Sequence, residues 1–151
     1  MSEVRYLPEE CSIGRTLALI GERWTMLVLR EAFRGVRRFD DIRDNTGAPR
    51  QVLSARLAVL VEHGVLRREP YQVLGQRARH EYRLTRKGMD LYPVLVSIMQ
   101  WGDRYLADPS GPPVRLTHAG CGAPVGVTMR CADGHLLESA REVHPIERSE
   151  A

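Results

Sequence analysis

The sequence predicts a mainly α-helical chain with one small β-hairpin. The order is helix, helix, short helix, helix, hairpin, long helix, then a small C-terminal β-rich or irregular extension. Three observations carry this. Apolar residues recur at helical spacing through most of residues 12–63. The period then changes to alternation over "VLRREPYQVLGQRARHEYRLT", with Gly75 between the two arms. A second helical pattern runs from Arg86 to Leu106, and "DPSGPP" (Asp108–Pro113) breaks it as a linker.

Residues 1–10 read as a short arm. The first helix is expected over Ser12–Ile20, with Ile13, Leu17 and Ile20 facing inward. "GERW" interrupts the pattern, and Thr25 is placed to cap a second helix through Phe33, built on Met26, Leu27, Leu29 and Ala32. Gly35 ends it. "RRFDDIRDNTG" reads as a short helix with Phe39 and Ile42 inward, closed by Gly47. Pro49 suits the first turn of a fourth helix reaching about His63, where Gly64 supplies the stop. In the hairpin, Val65, Tyr71 and Val73 alternate on the way out and Tyr82 and Leu84 on the return. Thr85 then caps the long helix to Leu106, and Pro93 inside it predicts a kink or a weakened turn.

Composition narrows the function classes. A chain of 151 residues suits one domain plus an appendage, and 43% hydrophobic residues suffice for a core. No apolar run reaches the ~18 residues of a membrane span, and no signal-peptide stretch opens the chain, so a cytoplasmic protein is expected. Three cysteines suit a reducing compartment rather than a disulfide scaffold. The net charge of +3 is unevenly spread: Arg15–Lys87 holds sixteen basic and eight acidic residues. Lys87 is the only lysine, so the cationic charge is arginine, whose planar fork suits phosphates and guanine edges. The histidines form no evident nucleophile–base set, and no glycine-rich phosphate cradle or HExxH motif is present, so an enzyme is not expected.

The fourth helix carries the functional signal. At about 100° per residue, Leu53, Leu57 and Leu60 fall on one side, and Gln51, Ala55 and Ala58 fall opposite. Arg50 and Ser54 line one margin of that face and Val52 and Arg56 the other, with no acidic residue before Glu62. Short alanines allow close approach to a groove floor, while Arg50 and Gln51 can contact guanine or adenine bidentately. The hairpin that follows has a basic tip with Arg77 and Arg79 at alternate positions. A short helix, a tight turn, a second helix and a basic hairpin together describe a winged helix-turn-helix, with the second helix of the pair in the major groove. Arg50, Gln51, Ser54 and Arg56 of that helix and Arg77 and Arg79 of the hairpin are therefore expected DNA contacts. Arg37 and Arg38 are expected phosphate contacts; the alternative makes them solubilising charges paired with Asp40 or Asp41.

Three segments, Cys11–Arg43, Pro49–Tyr71 and Glu81–Gly102, resemble in order the HxlR-type transcriptional regulators. The resemblance covers roughly residues 8–106. It implies a bacterial regulator that binds operator DNA as a homodimer, and a sensory role for the cysteine near the first helix. Taken together, the expected organisation is an arm over 1–10, a DNA-binding and dimerisation domain over 11–107, a linker over 108–113 and a Cys/His-containing extension over 114–151. The expected function is a repressor on a palindromic double-stranded operator. The alternative is a winged-helix protein-interaction module without specific DNA binding.

The expected dimer element is the helix Arg86–Leu106, whose stripe of Leu91, Leu95, Ile98 and Tyr105 is widened by Val94 and Trp101. The signal is either a redox or electrophilic event at Cys11 or a small-molecule effector. Cys11 precedes a helix N-terminus with Arg15 nearby, surroundings that favour a thiolate; the alternative is a small, partly buried hydrophobe. No cofactor is required. In the extension, His118, Cys121, Cys131 and His135 could hold tetrahedral zinc. Relatives that resemble this extension carry His-x-x-Cys followed by Cys-x-x-Cys, whereas Gly134 stands at the last cysteine position here. The other reading is a small β-rich flap.

Overall fold

The computed structural model describes residues 7–146. It divides into two units, Met1–Tyr92 and Pro93–Ala151, so the domain end expected after residue 107 lies inside the second unit. Of the expected arm and extension, residues 1–6 and 147–151 lie outside the described residues.

The first unit is built on apolar stripes. Helix α1 (Ser12–Ile20) begins at Cys11, whose sulfur accepts the Gly14 N–H at 3.1 Å. Its expected inner face is only partly buried: Ile20 is in the core, but Ile13 is 73% and Leu17 58% exposed. Helix α2 (Arg23–Phe33) starts earlier than expected because its N-cap is Glu22, not Thr25. The Glu22 carboxylate accepts the Thr25 N–H at 3.1 Å, which leaves Thr25 inside the first turn and buried. The buried side of α2 is Val28 and Leu29, while Met26, Leu27 and Ala32 are half-buried.

Helix α3 (Phe39–Thr46) buries Ile42, half-buries Phe39, and ends at Gly47 with φ +72°, a left-handed conformation that favours glycine. Helix α4 (Arg50–Glu62) follows after Pro49, which is the N-cap rather than the first helical residue. Leu53, Leu57 and Leu60 of α4 are wholly buried and join Ile20, Val28, Leu29, Ile42, Val65 and Leu66 in one core. Each such side chain contributes roughly 1.5–3 kcal/mol of burial.

Strands β1 (Leu66–Tyr71) and β2 (Arg79–Leu84) pair antiparallel, with Leu66 opposite Leu84 and Tyr71 opposite Arg79. Val73 lies beyond the strand, in the connecting loop. The α2–α3 connection adds a β-bridge between Arg38 and Glu81, and the Tyr82 N–H donates to the Arg37 carbonyl at 2.8 Å. The hairpin is thereby tied to the connection between α2 and α3. Its base is closed by the Thr85 hydroxyl, which donates to the Gly64 carbonyl.

The long helix expected from Arg86 is two helices. Thr85 caps α5 (Arg86–Met89), which stops after one turn, and α6 (Tyr92–Tyr105) starts afresh. Proline lacks the N–H that would continue the ladder and its ring clashes with the preceding turn, so Pro93 is tolerated only in a first turn. Gly88 allows α5 to pass the hairpin base closely: a Cβ there would lie 2.1 Å from the Val65 carbonyl oxygen.

In the second unit, α6 buries Val96 and half-buries Leu95, while Val94, Ile98, Trp101 and Tyr105 remain exposed. The extension contains a two-residue hairpin, β3 (Met129–Arg130) with β4 (Leu136–Leu137), and a 3-10 turn at Ala140–Glu142. It rests on α6 through Gln100, whose side-chain oxygen accepts the Val127 N–H at 2.9 Å.

One buried acid locks α2 to α3. Glu31 is fully buried, and its carboxylate accepts from Arg30 Nε at 2.8 Å, Arg34 Nη1 at 3.1 Å and Asn45 Nδ2 at 2.8 Å. Burial pushes its carboxyl up, but the Asn45 amide and the two guanidiniums outweigh this and hold it below the ordinary 4.5. A carboxyl depressed in the folded state contributes fully above its unfolded value and loses that contribution as pH falls through the folded one. The urea midpoint of wild type is therefore expected to fall below pH 4.5. Glu31→Gln, which cannot ionise, should remove part of that slope.

Candidate nucleic-acid interface

The outward side of α4 is a continuous polar and small-residue surface. Gln51, Ser54, Ala55 and Ala58 are exposed, opposite the buried leucines. Together with Arg50 and Phe39 they line a shallow concavity of about 520 Å³. Arg50, the first residue of α4, lies with its guanidinium 5.2 Å from the Phe39 ring centre, at the edge of this surface.

Beside it a second cleft, of about 510 Å³, runs between the N-terminal ends of α3 and α4 and the hairpin. Arg38, Arg50, Arg68, Arg79 and His80 bring positive or titratable charge to its walls, and Asp40 and Asp41 bring the acids. Arg79 begins β2, and its Nη1 is 3.6 Å from Asp40 Oδ2; Arg50 Nη2 is 3.4 Å from Asp40 Oδ1. One carboxylate thus spans the helix and the hairpin. Arg77 is exposed in the loop between the strands, where Gly75 has φ +79°. That loop also presents Leu74, fully exposed. A single apolar residue in a loop carries no periodic signal, so the sequence did not single it out.

Arg37 and Arg38 sit where the α2–α3 connection meets the hairpin. Both are exposed, and the Arg38 guanidinium stacks 4.5 Å over the Tyr71 ring. Among the described residues neither pairs with Asp40 or Asp41; the acid expected to neutralise them faces Arg50 and Arg79 instead. Arg56 is also placed differently from a free groove contact. Its Nε lies 3.1 Å from Glu22 Oε2, so in the unbound chain this half-buried arginine ties α4 to the N-cap of α2. Partial burial works against ionisation of Glu22. The Thr25 and Trp24 N–H groups and Arg56 together overcome it and lower the carboxyl's pKa.

An exposed, acid-free helix face, flanked by an arginine-bearing hairpin braced against the same helix pair, is the arrangement of a winged helix-turn-helix. A family model described as HxlR-like helix-turn-helix matches residues 19–110. The chain belongs to the HxlR family. Like the family, it is a DNA-binding transcriptional regulator. The HTH-type transcriptional regulator Rv3095 of Mycobacterium tuberculosis, itself uncharacterized, is 48% identical over 145 residues, spanning 96% of this chain and 90% of that protein. The crystal structure of PA1607, described as a candidate transcription factor, superposes with a TM-score of 0.80 at 39% identity. It covers 91% of this chain and 95% of that one. The redox regulator HypR in its oxidized form superposes with a TM-score of 0.57 at 25% identity, over 65% of this chain and 99% of its own.

Two expected sites of this HxlR-family chain are built on other elements. Cys11 is half-buried at the α1 N-terminus. Its neighbour Arg15 does not point at the sulfur as a free cation: Nε donates to the Glu9 carbonyl at 2.9 Å and Nη2 to the Glu10 carbonyl at 3.2 Å. In the extension the four candidate ligands form two separate pairs. His118 Nδ1 is 3.2 Å from Cys121 Sγ, and Cys131 Sγ is 3.3 Å from His135 Nδ1. Among the described residues no group of three or more metal-binding side chains converges. No described helix is long and apolar enough to cross a membrane.

Proposed function

We propose that this HxlR-family protein is a cytoplasmic repressor that binds a palindromic double-stranded operator as a homodimer. The observation that carries this is the exposed, acid-free face of α4 set beside the arginine-bearing wing. In the bound state Gln51 and Ser54 address base edges, Arg50 at the start of α4 meets the flanking phosphate or the adjoining guanine edge, and Ala55 and Ala58 let the backbone come close. Arg37, Arg38, Arg77 and Arg79 meet phosphates, and Arg56 sets the angle of α4 through Glu22. A winged-helix module that binds only protein has no use for such a face.

Arg77→Ala and Arg79→Ala are each expected to weaken binding to all sequences and to flatten the logarithmic salt dependence by about one unit. Fluorescence anisotropy over a range of salt concentrations reads this directly, and an unchanged slope contradicts the wing assignment.

The exposed Ile13 and Leu17 of α1 and Val94, Ile98, Trp101 and Tyr105 of α6 support the homodimer, since an isolated chain rarely leaves so much large apolar surface in water. The signal acts at Cys11 by oxidation or electrophile addition, or through a small-molecule effector. The half-buried sulfur that caps α1, and the likeness to a redox regulator, support the first. DNA release by diamide or a quinone is expected in wild type and not in Cys11→Ser; equal release in both contradicts it. The extension holds zinc only if its two His/Cys turns draw together. Native mass spectrometry of tag-free protein decides this, one zinc per chain supporting the site and a trace excluding it.

A further inference from the structure

We infer that Asp40 occupies a phosphate subsite of the DNA interface and competes with the nucleic-acid backbone for Arg50 and Arg79. The inference rests on the proposed DNA-binding reading and adds an antagonist residue to it.

Asp40 lies in the first turn of α3, and its two carboxylate oxygens are divided between two elements. Oδ1 is 3.4 Å from Arg50 at the start of α4, and Oδ2 is 3.6 Å from Arg79 at the start of β2. A phosphate bound between helix and wing would present two oxygens to the same two guanidiniums. The carboxylate therefore marks where an anion is held in the unbound protein. Both contacts are longer than the ~2.7–2.9 Å of a strong charge-assisted hydrogen bond. All three side chains are substantially open to water: Arg50 is 65%, Arg79 57% and Asp40 49% exposed. Exposed pairs of this kind are weak, so a DNA phosphate, with its released counterions, can displace the acid.

The displaced acid does not leave. It remains on α3, close to the incoming phosphate, and like charges brought together at an interface oppose association. Asp40 thus lowers affinity for any duplex, and binding that relies on phosphates alone has least to set against that repulsion. Asp41 is the internal comparison. It carries the same charge one residue on and lines the same cleft, but among the described residues it forms no ion pair.

Asp40→Asn keeps the side-chain shape and removes the charge. It is expected to bind random-sequence duplex roughly 3–10-fold more tightly than wild type at about 0.1 M salt, with a salt slope steeper by about one. Asp41→Asn should change either quantity by much less. The gain should shrink clearly when Asp40→Asn is added to the Arg50→Ala, Arg79→Ala background, because competition for those two arginines is then gone and only the direct repulsion remains. Thermal melts of each variant show whether the fold is retained. Equal or weaker binding by folded Asp40→Asn, or equal gains from Asp40→Asn and Asp41→Asn, overturns the inference. If Arg50→Ala and Arg79→Ala weaken binding while Asp40→Asn fails to strengthen it, the inference alone falls. If wild type shows no salt-dependent binding, the DNA-binding reading falls with it.

Discussion

Ala55→Glu is expected to abolish operator binding, by a factor of about 100 or more, while leaving the fold intact. Ala55 is exposed near the centre of the polar face of α4, between Gln51 and Ala58. A glutamate there fills the space a base edge would occupy and places a carboxylate against DNA, where mismatched like charge costs several kcal/mol. The folded chain should barely register the change. The side chain points to water, and glutamate is only slightly poorer than alanine as a helix former. Anisotropy against the operator reads the binding loss and urea denaturation reads the stability. Retained binding would mean that this face does not enter a groove.

Leu57→Ala should act on the fold first. Leu57 lies two positions further along α4, on the opposite side, and is wholly buried against the core. Truncating a buried leucine removes its transfer free energy and leaves a cavity that closes only in part, a loss of about 2–5 kcal/mol. That is a large share of the ~5–15 kcal/mol available to a typical domain. The urea midpoint should fall sharply at an unchanged slope, and DNA binding should fail as unfolded chain accumulates. A shift below the equivalent of about 1 kcal/mol would show that the α4 stripe is not central to the core. The two variants together separate the two faces of one helix.

Leu53, Leu57 and Leu60 were legible in the sequence because a single helix face must be apolar to be buried, whatever it packs against. Gly47 and Gly75 were legible for a similar reason: each sits where the chain has to take a positive φ. Ile13 and Leu17 were not. Periodicity reports that α1 is amphipathic, but not whether its own core or another surface covers it, and both residues are exposed here. Pro93 signalled a disturbance, but its outcome, a short α5 and a fresh α6, depended on Thr85 and Gly88 fixing α5 to the hairpin base.

The charges divide in the same way. An acid-free face on α4 is a property of one helix and can be counted from the sequence. The partners of its margins are not, because they arrive from distant segments. Arg56 meets Glu22 from the start of α2. Arg50 and Arg79 are joined through Asp40, a contact that exists only once α3, α4 and the wing are assembled. In the extension, short spacing alone makes each His/Cys pair neighbours, while the approach of one pair to the other depends on how two short turns sit.

The central claim is that α4 and the wing read a specific duplex. Protection mapping with wild type on the DNA upstream of its own gene tests it most directly. Two protected half-sites of related, inverted sequence are predicted, spaced one helical turn of about 10–10.5 base pairs or a multiple of it. Ala55→Glu should remove both at once. Uniform coating of the DNA with no protected sequence, or protection that survives Ala55→Glu, would contradict the account.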